Sequence, residues 1–123
     1  MKHEDLTKRI IGAAIEVHKH VGPGLLESVY ENCLAHELSI QGIPFESQKQ
    51  VLVRYKGVQL ASELRADFVV DSKVIIELKA VEALTPVHRA QILTYMRLAN
   101  CEVGLLINFN VEQLTKGMER FVL

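Results

Sequence analysis

Between Leu6 and Val21, apolar side chains at Leu6, Ile10, Ala13, Ala14, Val17 and Val21, with Ile11 and Ile15 alongside, recur at helical spacing. They predict an amphipathic first helix. Gly22-Pro23-Gly24 ends it, because proline cannot continue an interior hydrogen-bond ladder but can open a new helix. A second helix is expected at once, with an inward stripe of Leu26, Val29, Tyr30, Cys33, Leu34 and Leu38, closed by Gly42 and Pro44.

The pattern then turns to that of strands. Gln50 to Tyr55 is β-rich, Lys56-Gly57 turns the chain, and Val58 to Val70 is extended with a bend near Ala61-Ser62. Asp71-Ser72-Lys73 reads as a turn before a Val- and Ile-dense strand from Val74 to Ala80. Thr85-Pro86 is an N-cap followed by a first-turn proline, opening a helix that carries Val87, Ala90, Leu93, Met96 and Ala99 inward to about Asn100. Val103 to Phe109 suits a strand covered on both faces, and Asn110 is expected to cap a last short helix interrupted by Gly117. The order is α-α-β-β-β-α-β with a tail, an α/β chain expected to fold as one domain over residues 1–123.

Composition narrows the function classes. With 123 residues, 49% hydrophobic and 24% charged, the chain can bury a core without a disulfide or structural metal. Cys33 and Cys101 stand far apart with no ligand spacing, so they are read as free buried thiols. A net charge of −1 argues against a tight, non-specific nucleic-acid coat. No segment approaches the ~18 apolar residues that span a membrane, so a cytoplasmic location and no membrane partner are expected.

The second hairpin carries the candidate chemistry. Alternation places Leu64, Ala66, Phe68 and Val70 on one face and Arg65, Asp67 and Val69 on the other, while Val74, Ile76 and Leu78 oppose Ile75, Glu77 and Lys79. Uniting the apolar sets requires a loop with an odd number of residues, which Asp71-Ser72-Lys73 supplies. The register then pairs Val70 with Val74, Asp67 with Glu77 and Arg65 with Lys79. Two opposed carboxylates repel unless a cation lies between them, and oxygen donors on rigid strands suit Mg²⁺ or Mn²⁺. Lys79 emerges on the same face, where it can meet phosphate or an attacking water. An ordinary salt-bridge cluster on a solvated sheet face would use the same residues.

The flanking helices add members. His88, Gln91 and Tyr95 share one face of the third helix, able to orient Lys79 or touch a nucleotide. Gly24, Glu27 and Tyr30 recur every three residues on the second helix, where Glu27 could supply a third acid directly or through water.

Gly24-Leu-Leu-Glu27-Ser-Val-Tyr30 resembles the pattern of the GxxExxY protein family, and Asp67 with Glu77-Leu78-Lys79 is similar to the PD-(D/E)XK nuclease motif. Gln91-x-x-x-Tyr95 is similar to the QxxxY motif of RecB-like nucleases in that superfamily. The resemblance implies a restriction-endonuclease-like three-layer core, a central mixed sheet flanked by helices. It implies Glu27, Asp67, Glu77 and the carbonyl of Leu78 around Mg²⁺ or Mn²⁺, Lys79 at the scissile phosphate, and Gln91 and Tyr95 beside it. Arg65, His88 and Tyr30 are the candidate substrate contacts. Ala66 stands where the superfamily name has proline.

The reading is a divalent-metal-dependent nuclease acting on DNA in preference to RNA, with a homodimer left open. A rival is a nucleic-acid-binding module that uses His88, Arg89, Arg97, Lys49, Arg54 and Lys56 without cutting. A further rival is a protein-interaction subunit with a vestigial site.

Overall fold

A computed structural model describes residues 2–123. Helix α1 spans Glu4–Val21 and ends where Gly22, at a φ of 71° that favours glycine, donates its N–H to the His18 carbonyl. Helix α2 spans Glu27–Ile40, starting four residues after Pro23. Residues 23–26 form a loop instead, and Leu26 is the N-cap, 75% exposed, with Val29 also exposed. The buried members of the expected stripe are Tyr30, Leu34 and Leu38.

Strand β1, Phe45–Gln50, begins five residues before the first expected strand. Its sequence, Phe-Glu-Ser-Gln-Lys-Gln, lacks apolar alternation because it is an exposed sheet edge. Val53–Tyr55 (β2) and Val58–Leu60 (β3) pair across Lys56-Gly57 as a separate small hairpin. The expected long strand therefore splits at residues 61–64, and Arg65–Val70 is β4.

Strand β5 is Val74–Lys79, helix α3 is Pro86–Ala99 and strand β6 is Val103–Asn108. The expected terminal helix is a short 3-10 turn, Leu114–Gly117, followed by strand β7, Met118–Val122, antiparallel to β6. The main sheet runs β1-β4-β5-β6-β7, with β5 and β6 parallel and the other neighbours antiparallel. The fully buried β6 matches the expected strand covered on both faces.

Two apolar cores flank the sheet. Ile10, Ala13, Val17, Tyr30, Leu34 and Leu38 of α1 and α2 pack on Phe68, Val70, Ile76 and Leu78. On the opposite face, Ile92, Tyr95 and Met96 of α3 pack with Val69, Ile75 and Leu106. An added Cβ at Gly104 would stand 2.6 Å from Met96 Sδ, so glycine there lets α3 approach the sheet. Only that part of α3 is covered. Val87 and Ala90, expected inward, face outward, Val87 at 75% exposure. No described helix is long and apolar enough to cross a membrane.

Candidate active site

The β4–β5 turn takes the expected register. Val70 lies opposite Val74, Val69 opposite Ile75 and Phe68 opposite Ile76, with Asp71-Ser72-Lys73 between and the Lys73 N–H donating to the Val70 carbonyl. The backbone ladder stops there. Asp67 and Glu77 stand next in register, but the Asp67 N–H donates to Glu77 Oε2 at 2.7 Å and the Leu78 N–H donates to Asp67 Oδ2 at 2.8 Å. Two carboxylates replace the carbonyls that a continued ladder would have used, satisfying both donors. The expected Arg65–Lys79 pairing therefore does not form. Ala66 packs with Val69 and Ile75 instead of Phe68, so the simple alternation of β4 breaks at Asp67.

The fork brings two acids together with little access to solvent, Glu77 buried and Asp67 half-buried. Glu77 is only 3% exposed. Burial, then the charge of Asp67, pushes Glu77 up to about 8 against the pull of the Asp67 N–H and Lys79. Burial also raises Asp67 to about 6, opposed by the Leu78 N–H and Lys79 and assisted by Glu31 and Glu27. Among the described residues no ion pair within 4.0 Å involves Asp67, Glu77 or Lys79. A collapsed salt-bridge cluster on a solvated face is therefore not what these residues form.

Each carboxylate commits one oxygen to a backbone N–H. Asp67 Oδ1 accepts from Gln48 Nε2 at a long 3.3 Å, and no described donor bonds Glu77 Oε1. That donor set fits a hard cation that takes one or two carboxylates and completes its shell with water and substrate oxygen. Among the described residues no three acidic, His or Cys side chains converge closely enough to enclose an ion. Glu27 therefore acts on the pair through its charge, without joining Asp67 and Glu77 in a direct three-acid cluster.

Tyr30 is fully buried and stacks on Phe109 at 4.6 Å. Its hydroxyl donates to the Gly22 carbonyl at 2.7 Å and accepts from the Leu25 N–H at 3.1 Å. The Gly24 N–H donates to Asn110 Oδ1. These bonds pin the loop that launches α2 and so set where Glu27 sits. Tyr30, expected to touch substrate, is buried here with its hydroxyl taken up by this loop.

On α3, Gln91 Oε1 accepts from Lys79 Nζ at 3.4 Å, and Gln91 Nε2 donates to Tyr95 Oη at 3.4 Å. The row from Lys79 through Gln91 to Tyr95 is assembled as the helical spacing indicated. His88 lies one turn away, where its Nδ1 accepts the Thr85 N–H while Thr85 Oγ1 accepts the His88 N–H, a reciprocal cap. Arg65 is exposed at the start of β4, two residues from Asp67. Arg89, counted among the candidate nucleic-acid contacts, instead holds Glu119 on β7 through bonds of 2.7 and 2.9 Å.

A family model described as the PD-(D/E)XK nuclease superfamily matches residues 4–121. The chain belongs to that superfamily. No curated protein and no solved structure matches it. Its three helices and mixed five-stranded sheet are the α/β, restriction-endonuclease-like fold of such a nuclease domain.

The nuclease fold adds site neighbours that the sequence pattern did not mark. Gln48, at a φ of 50°, hydrogen-bonds both Glu31 and Asp67 from the β1 edge. Nothing in that polar run singles it out. Asn108 is buried beside Lys79 at the end of β6, where its side chain donates to the Val81 carbonyl at 2.9 Å and accepts the Val81 N–H at 3.1 Å. A polar residue closing an apolar run was the available signal.

Proposed function

We propose that the chain is a divalent-metal-dependent nuclease that hydrolyses phosphodiester bonds of DNA, with Asp67 and Glu77 holding Mg²⁺ or Mn²⁺ and Lys79 facing the scissile phosphate. The observation that carries this reading is a buried Glu77 and a half-buried Asp67 joined at an open strand fork, with no cation among the described residues paired to either. When bound, the ion supplies positive charge that activates water and stabilises charge on the phosphate.

The chain's own residues then have separate tasks. An extended residue turns its N–H and C=O toward the same neighbouring strand. The Leu78 N–H bonds Asp67, so the Leu78 carbonyl faces the same fork and suits a further oxygen ligand. Glu27 reaches the site through water. Gln91 holds Lys79 by its ammonium, and Tyr95 holds Gln91, fixing a cation where negative charge develops. His88 keeps Nε2 available for a phosphate contact, and Arg65 stands at the rim.

The test is cleavage of labelled single-stranded, double-stranded and branched DNA by the full chain, with Mn²⁺ or with a chelator. Cutting is expected only with metal, and it should be lost in Asp67→Ala and Lys79→Ala. Cutting that survives both substitutions would sink the assignment.

A further inference from the structure

Beside the lysine row lies a shallow groove of about 400 Å³ lined by Leu64, Val87, Ala90, Gln91, Thr94 and Tyr95. The five α3 residues are spaced to form one helix face, and Leu64 from the segment before β4 forms the opposite wall. Val87 stands 75% exposed here and Leu64 38%.

We propose that this groove receives an unpaired nucleobase of the strand being cut, which makes single-stranded or frayed DNA the substrate class; the inference rests on the nuclease reading above. Its walls are apolar, while the Gln91 amide and Thr94 hydroxyl supply polar groups at its border. That combination matches a flat ring with an apolar face and hydrogen-bonding edges, not a phosphate or a metal ion. Gln91 belongs to both places, because its carbonyl oxygen bonds Lys79 and its side chain lines the groove. A phosphate at Lys79 therefore brings a base of the same strand to the groove. Bases inside a duplex are stacked and paired, so an unpaired strand enters without the cost of extrusion.

Charge favours the same occupant. Arg54 and Lys56 on the β2–β3 hairpin, and Arg65 where the chain enters β4, have no ion-pair partner among the described residues. Arg65 directly follows Leu64 of the groove wall and suits a phosphate of a strand passing the site, while Arg54 and Lys56 lie on the separate β2–β3 hairpin that precedes it in the chain.

The test is fluorescence anisotropy of a labelled single strand and of the corresponding blunt duplex with the full chain in Ca²⁺, followed by cleavage of both in Mn²⁺. Val87→Ser and Leu64→Ser remove apolar wall at exposed positions without adding charge, and circular dichroism checks their fold. The wild-type chain should bind the single strand about 10-fold more tightly than the duplex, and each variant should lose most of that preference with duplex affinity unchanged. Equal loss on both DNAs, or no strand preference in a chain that cuts, overturns the groove and leaves the nuclease reading intact. Strand preference that depends on Val87 and Leu64 in a chain that cuts nothing supports the groove and overturns the nuclease reading. Unchanged DNA binding with altered self-association in sedimentation would make the groove a contact between copies and overturn the proposal.

Discussion

Asp67 and Glu77 are tied by an exchange in which the Asp67 N–H donates to the Glu77 carboxylate at 2.7 Å while the Asp67 carboxylate accepts the N–H of the residue after Glu77 at 2.8 Å. Each acid spends one oxygen on holding the fork open. Of the other two, Glu77 Oε1 has no described donor and Asp67 Oδ1 has only the long 3.3 Å bond from Gln48. The same exchange keeps two acids in a poorly solvated place, and the cost of ionising both should be measurable apart from catalysis.

The first consequence concerns pH. Asp67 is raised to about 6 and Glu77 to about 8, both above the ordinary carboxylate range. Between about pH 4 and pH 8 the folded chain therefore holds more protons than the unfolded chain, so stability falls as pH rises through that window. Thermal melts of the metal-free protein should show Tm dropping by about 5 °C or more between pH 5 and pH 8. A flat or rising Tm would contradict the burial argument.

Divalent ions should reverse this loss. Mn²⁺ binds the deprotonated pair, so its stabilising effect should grow from pH 5 to pH 8 and reach about 2.7 kcal/mol at 100 times Kd. Melts across a Mn²⁺ titration give the value, and Asp67→Asn should abolish most of it. An equal metal effect in that variant would place the ion elsewhere.

Tyr30→Phe keeps the stack on Phe109 but removes the hydroxyl from the Gly22 carbonyl and the Leu25 N–H. Urea unfolding should show a loss of about 1–3 kcal/mol. Because Tyr30 sets the start of α2, cleavage should also fall, but less than in Glu27→Gln. Unchanged stability would mean that the loop is held by other contacts.

Asn108→Ala leaves the Val81 N–H without its side-chain acceptor and the Val81 carbonyl with only the long 3.5 Å bond from Asn110 Nδ2. The expected destabilisation is about 2–4 kcal/mol by urea unfolding. Since Val81 follows Lys79 by two residues, the same variant should slow cleavage at saturating metal. A wild-type rate would show that Lys79 does not depend on this clamp.

The hairpin register was legible because a period of two and a buried face leave only odd-length turns, and Val70 opposite Val74 follows from that. The α3 row was legible because Gln91 and Tyr95 are one helical turn apart. Strand β1 was not, since an exposed edge carries no apolar alternation, and β7 was obscured by a half-buried pattern after Gly117. The inward face of α3 was misassigned because Val87 and Ala90 are apolar yet lie outside the covered part of the helix. Tyr30 was legible as part of the buried stripe of α2, but the bonds of its hydroxyl to the Gly22 carbonyl and the Leu25 N–H were not, and Gln48 sits at a left-handed backbone position that a glutamine does not announce.

The most direct measurement compares Glu77→Gln with the wild-type chain at pH 8 in Mn²⁺, by single-turnover cleavage and by thermal melting without metal. Glutamine keeps an oxygen for the Asp67 N–H and removes a buried charge. The variant should melt at or above the wild-type temperature without metal and cut at least about 100-fold more slowly. Cleavage at the wild-type rate by a well-folded Glu77→Gln chain would contradict the assignment of catalysis to the Asp67–Glu77 fork.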